Sequence, residues 1–206
     1  MKGFALAKAL PALAVVAVVV AFVFFQVHVG RAEEPGAAVG QPAPDFALAD
    51  EQGARHALVD DRGKIVVLEW TNSQCPFCQR HARAGTMKGL AQRYSGKVVW
   101  LAVNSSHFNT PADSQAWTKA NGLPFPTLQD TDGTVGRLYG AKTTPHMFVI
   151  DAAGVLRYRG AIDDDPRGTS AKPTNYVAQA IDALLAGESP KFVNTNPYGC
   201  SVKYAK

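Results

Sequence analysis

Cys75 and Cys78, in the stretch "TNSQCPFCQRH" of residues 71–81, flank Pro76 and Phe77, and the chain holds one further cysteine, Cys200. Two sulfurs at this spacing can staple a loop, ligate a metal or exchange electrons. A bridge across so small a loop constrains the unfolded chain little, because the stabilisation grows with loop length. A zinc site needs a second ligand pair, and the sequence offers only Cys200 and scattered histidines. A thiol protein holding Cu(I) or Zn is therefore the non-enzymatic alternative. Electron exchange fits the pattern best. If Pro76 opens a helix, Cys75 stands at its N-terminus, where unpaired N–H groups and the helix dipole favour a thiolate. Pro76 suits the first helical position because its missing N–H would have no partner there. Cys78 lies about one turn further in, deeper and titrating higher. Such a pair is asymmetric: Cys75 attacks a disulfide and Cys78 resolves the mixed disulfide.

The elements that must position this pair follow from the hydrophobic pattern. Residues 64–70, "KIVVLEW", form a β-branched apolar run of the kind buried in a parallel sheet, and a helical pattern follows from Pro76 to Tyr94. Residues 97–104 give a second buried strand. Residues 110–122 read as a helix with Thr110 as N-cap, Pro111 in the first turn and Gly122 as the stop. A short strand at 125–130, a brief helix at 134–140, two strands at 146–151 and 155–160 around an Ala-Ala-Gly turn, and an amphipathic helix at 174–187 complete the domain. "DFALAD" and "RHALVD" before it read as a β-hairpin. The expected boundaries are a linker at 33–44, one α/β domain at 45–190 and an irregular tail at 191–206.

The N-terminus has no charged or polar side chain from Ala9 to Phe25, with Lys2 and Lys8 before that run and Gln26, His28 and Arg31 after it. Residues 1–32 therefore read as a cleaved signal peptide or a retained membrane anchor, which places the domain in the periplasm or another extracytoplasmic compartment. Removing Lys2, Lys8 and Arg31 leaves 18 basic against 17 acidic residues, so nothing points to nucleic acid. The remaining composition, with 47% hydrophobic and 18% charged residues in the whole chain, is that of a globular protein.

With these residues in view, the chain resembles the thioredoxin superfamily, in its exported AhpC/TSA-like and TlpA/ResA-like branch. "VVLEWTNSQCPFCQRH" is similar to the strand-to-helix active site of that family, and "TTPHMFVID" to its later strand start. The resemblance implies a thioredoxin-like fold, a central mixed sheet flanked by helices, and a thiol-disulfide oxidoreductase with no organic cofactor beyond its redox-active disulfide. It implies protein thiols and disulfides as partners, with an upstream dithiol as electron donor. By the same resemblance Pro145 is a cis-proline facing the cysteines and Thr144 supplies backbone contacts to an incoming peptide, with Pro76 and Phe77 beside them. Glu69 then occupies the place of a buried acid beneath Cys78 that relays its proton. The aromatic residue that thioredoxins place directly before the first cysteine is absent, since Gln74 stands there. Thr71 lies four residues before Cys75, one more than in peroxiredoxins, so thiol peroxidase chemistry at Cys75 is the alternative enzymatic reading.

Cys200, in "PYGCSVKY", is a candidate third redox thiol, able to resolve Cys75, pair between chains or remain inert. His81 and the acidic run Asp163–Asp165 read as solvated surface. His107 and His146 are metal ligands only if the copper or zinc reading holds. Trp70 reads as packing, and Trp100 and Trp117 as core.

Overall fold

The computed structural model describes residues 36–206, so the expected export segment at 1–32 lies outside the described residues. Strand β1 (Ala47–Ala49) pairs antiparallel with β2 (Arg55–Ala57), which is the expected hairpin. The second arm is shorter than expected, because Leu58–Asp61 winds into a 3₁₀ turn that carries Leu58 into the core.

Strand β3 (Ile65–Trp70) is buried at every position and lies at the centre of a five-stranded sheet. On one side it pairs in parallel with β4 (Val98–Asn104), which pairs in parallel with β5 (Thr127–Gln129). Two shorter strands, β6 (Thr143–Thr144) and β7 (His146–Ile150), flank Pro145, and β7 pairs antiparallel with the other side of β3 and with β8 (Leu156–Gly160). Alternation along β3 sends Val66, Leu68 and Trp70 to one core, with Leu101, Val103, Tyr139 and Phe148. Ile65 and Val67 face the other core with Trp100, Met147 and Val149. Glu69 therefore falls on this second apolar face.

Among the described residues there are five α-helices: α1 (Pro76–Ala84), α2 (Thr86–Arg93), α3 (Pro111–Asn121), α4 (Thr134–Tyr139) and α5 (Tyr176–Leu185). The helix expected over 76–94 is two helices. Gly85 takes a left-handed conformation, φ 67°, and its N–H bonds back to the carbonyls of His81 and Ala82, so α1 ends there and α2 starts as a separate helix. Periodicity alone does not reveal such a break, since apolar spacing continues across it. α3 begins as expected: Thr110 Oγ1 accepts the Asp113 N–H at 3.2 Å while Asp113 accepts the Thr110 N–H at 3.0 Å.

The ends of the described region are more tightly held than their composition indicates. Within the expected linker, Ala37 and Ala43 are buried, and Gly40 N–H bonds to Leu156 O at 2.8 Å. Within the expected irregular tail, Phe192, Tyr198 and Val202 pack on the two cores, and Cys200–Ser201 forms strand β9, antiparallel to β6.

Candidate active site

Cys75 caps α1 with extended backbone (φ −79°, ψ 121°), and Pro76 follows at the first helical position. The preceding loop is fixed by Asn72. Its carbonyl accepts the Cys75 N–H at 3.0 Å, its Oδ1 accepts the Gln74 N–H at 2.7 Å, and its Nδ2 donates to Ser106 Oγ at 2.9 Å. The Thr144–Pro145 peptide bond is cis, and Cys75 Sγ donates to the Thr144 carbonyl at 2.9 Å. That contact belongs to the protonated thiol, since a thiolate has no proton to give. Other groups favour the thiolate: the Cys78 thiol first, then the Thr144 hydroxyl, the Cys78 backbone N–H and the Cys200 thiol. Burial opposes them, and the balance lowers the Cys75 pKa to about 4.

Cys78 sits inside α1, where burial and then the neighbouring Cys75 and Glu69 push its pKa well above the ordinary thiol value. Glu69 reaches the same space from β3. Trp100 Nε1 on the adjacent parallel strand donates to its Oε2 at 3.0 Å, while burial raises its pKa to about 7. Glu69, Cys78, Lys88 and Trp117 share the lining of one small cavity under α1. Trp117 is therefore half-buried at the site rather than a core residue. Trp70 packs between Tyr139 and Phe148 and donates to Ser105 Oγ, on the face opposite Glu69.

Several surface assignments change. Cys75 is only 2% exposed, as closed to solvent as Cys78 at 3%, with the β6–β9 pair beside it. His81 is 4% exposed, with Nδ1 3.1 Å from Thr86 Oγ1 and Nε2 2.9 Å from the Tyr198 hydroxyl, so it is no solvated residue. Burial is the main cause that lowers its pKa. The Tyr198 hydroxyl donates in turn to Asp163, which is buried, as is Asp165, whose carboxylate accepts the N–H groups of Thr169 and Ser170. An acidic run thus serves as a set of loop acceptors, which its sequence does not announce.

Of the residues expected to meet a substrate, Thr144 and Pro145 are buried, Pro76 is exposed, and Phe77 is half-buried against Tyr198 with ring centroids 5.9 Å apart. The sequence reading missed Asn72, Trp100 as the partner of Glu69, and Tyr198; the signal was available only for Tyr198, two residues from Cys200. His146 is buried against Phe148, its Nδ1 accepting the Lys142 N–H, and burial is the largest cause lowering its pKa to about 3. His107 is exposed, and among the described residues no group of three or more His, Cys, Asp or Glu side chains is set to hold a metal ion.

The AhpC/TSA family model matches residues 39–159. The chain belongs to the AhpC/TSA family. It has a thioredoxin-like fold, and proteins named as thiol-disulfide oxidoreductases are among its relatives. AhpC/TSA relatives include the thiol-disulfide oxidoreductase ResA of Geobacillus thermodenitrificans, 30% identical over 61% of this chain and 70% of that protein. A putative peroxiredoxin of Coxiella burnetii is 30% identical over 71% of this chain and 97% of its own length. The solved structure of a hypothetical protein from Sinorhizobium meliloti superposes with a TM-score of 0.75 at 29% identity, covering 82% of this chain and 96% of that one.

Proposed function

We propose that this chain exchanges electrons with protein disulfides in an extracytoplasmic compartment, with Cys75 attacking, Cys78 resolving and Glu69 relaying the proton. The observation that carries this reading is the placement of the pair: Cys75 caps α1 against the carbonyl of the cis Thr144–Pro145 bond, while Cys78 lies buried inside the helix beside Glu69, so the first thiol is drawn down to about 4 and the second pushed up. The Cys75 thiolate attacks a client disulfide, forming a mixed disulfide and releasing one client thiolate. Ionised Glu69 takes the Cys78 proton, and Cys78 attacks Cys75 Sγ, releasing the second client thiolate. The client is reduced by two electrons and the Cys75–Cys78 pair is oxidised; a separate dithiol protein restores the pair by the reverse steps. No organic cofactor takes part in these steps, and Thr144 and Pro145 form the surface on which a client peptide is presented.

The test is equilibration of the full chain in glutathione buffers with mass-spectrometric mapping of the bridge. A reversible Cys75–Cys78 disulfide, and loss of exchange in Cys75→Ser, support the reading; absence of a reversible bridge sinks it.

A second reading, thiol peroxidase, is favoured by the similarity to the Coxiella burnetii peroxiredoxin over nearly its whole length. In it the Cys75 thiolate attacks one peroxide oxygen, the O–O bond breaks, the leaving hydroxide takes a proton from solvent to become water, and Cys75 is left as a sulfenic acid. Peroxide consumption by the reduced chain that is lost in Cys75→Ser supports this reading, and consumption no faster than by free glutathione removes it.

A further inference from the structure

In the exchange reading, an incoming peptide pairs with the edge of β6, whose backbone lies beside Cys75. That edge is already filled by the chain itself. Thr143 stands opposite Ser201 and Thr144 opposite Cys200 in an antiparallel pair. The pairing continues past the strand, where Val202 N–H bonds to Lys142 O at 3.1 Å, His107 N–H to Lys203 O at 2.9 Å, and the Tyr204 hydroxyl to Ala141 O at 2.8 Å. On the upstream side Tyr198 ties the segment to α1 through His81.

Gly199 shows how closely this segment lies on the site. Its φ is 138°, and a Cβ there would fall 2.1 Å from Thr144 O and 2.7 Å from Thr144 C. Only glycine lets the backbone rest on the Thr144–Pro145 peptide. The next residue is Cys200, which stands opposite Thr144, whose carbonyl accepts from Cys75 Sγ, and the two thiols are close enough to shift each other's titration.

We propose that residues 198–204 are a tethered substrate mimic: β9 occupies the peptide-binding edge of β6, and Cys200 offers the thiol that exchanges with Cys75. This rests on the dithiol-exchange reading above. When the pair is oxidised, the Cys200 thiolate attacks Cys75 Sγ. The Cys75–Cys78 bond breaks, the Cys75–Cys200 bond forms, and Cys78 leaves as a thiolate. Cys200 has lost one proton to solvent and Cys78 regains one, so the step is electron-neutral and needs no added oxidant. The reverse attack by Cys78 frees Cys200. A client peptide must therefore displace β9, and a small disulfide reaches Cys75 only as the segment opens locally.

The test uses the full chain. In Cys78→Ser treated with oxidised glutathione, Cys75 first becomes glutathionylated, and Cys200 should then expel glutathione to give a monomer with a Cys75–Cys200 bridge by peptide mapping. A glutathione adduct that persists on Cys75 overturns the proposal. In Gly199→Val, which pushes the segment off Thr144, alkylation of Cys75 by iodoacetamide should rise about tenfold, as expected when a local closed state is opened, with Cys78 still protected. An unchanged Cys75 rate also overturns it. The two readings fail separately: a wild-type chain that forms a reversible Cys75–Cys78 bridge while Cys78→Ser forms no Cys75–Cys200 bridge removes only the mimic, and a wild type without the first bridge removes both.

Discussion

Trp100 and Glu69 meet across adjacent parallel strands, the indole N–H donating to the carboxyl at 3.0 Å. This one bond orients an otherwise solvent-free acid beside the Cys78 thiol, in a core where an unpaired charge costs several kcal/mol. The bond favours the carboxylate and burial the neutral acid, with burial the larger effect.

A pH dependence follows from that balance. The Glu69 carboxyl ionises near 4.5 in the unfolded chain and at about 7 in the fold. Between these values the fold holds the extra proton, so stability falls as pH rises through the window. The loss is on the order of 3 kcal/mol above pH 7, at roughly 1.4 kcal/mol per tenfold change in proton affinity. Glu69→Gln should flatten this fall and be more stable than wild type at pH 8 in urea unfolding, while slowing exchange at Cys78. A wild-type stability that is level from pH 4.5 to 8 would contradict it.

The Cys75 thiolate makes the opposite prediction for the reduced protein. Its pKa is depressed from 9 to about 4, so the stabilisation is complete above pH 9 and is lost as pH falls through about 4. Thiolate absorbance at 240 nm should show one ionised cysteine across neutral pH, absent in Cys75→Ser. A stabilised thiolate also favours the reduced pair, so the reduction potential should lie above the roughly −270 mV of thioredoxin. A value at or below that figure would mean that other terms dominate.

Tyr198 joins the C-terminal segment to the helix carrying the thiols. Tyr198→Phe leaves the buried Asp163 carboxylate and the His81 ring each short of a partner. Equilibrium unfolding should show a loss of about 1–2 kcal/mol, and hydrogen exchange should quicken in β9. Unchanged protection there would show that the strand is held without this hydroxyl.

Gly85 separates α1 from α2 at φ 67°, with nothing within 4 Å of the position a Cβ would take. Gly85→Ala therefore tests backbone strain alone and should cost about 1 kcal/mol. A neutral or stabilising effect would indicate that the two helices can merge.

The sequence by itself determined the class of the fold and the asymmetry of the reactive pair. Strand β3 is legible from its unbroken β-branched run, the start of α1 from Pro76, and the start of α3 from Thr110 and Pro111, because each depends on residues close in the chain. Even the face on which Glu69 lies follows from alternation along β3. What surrounds those residues depended on contacts distant in sequence. Trp100 reaches Glu69 only because β3 and β4 pair in one register, and Gly85 breaks a helix whose apolar spacing runs on unchanged. Cys200 read equally as reactive or inert, since nothing in "PYGCSVKY" states its distance from Cys75. The tertiary structure sets that distance by laying Gly199 on the Thr144 carbonyl and adding β9 to the edge of β6, a placement set by backbone pairing and by the absence of one Cβ.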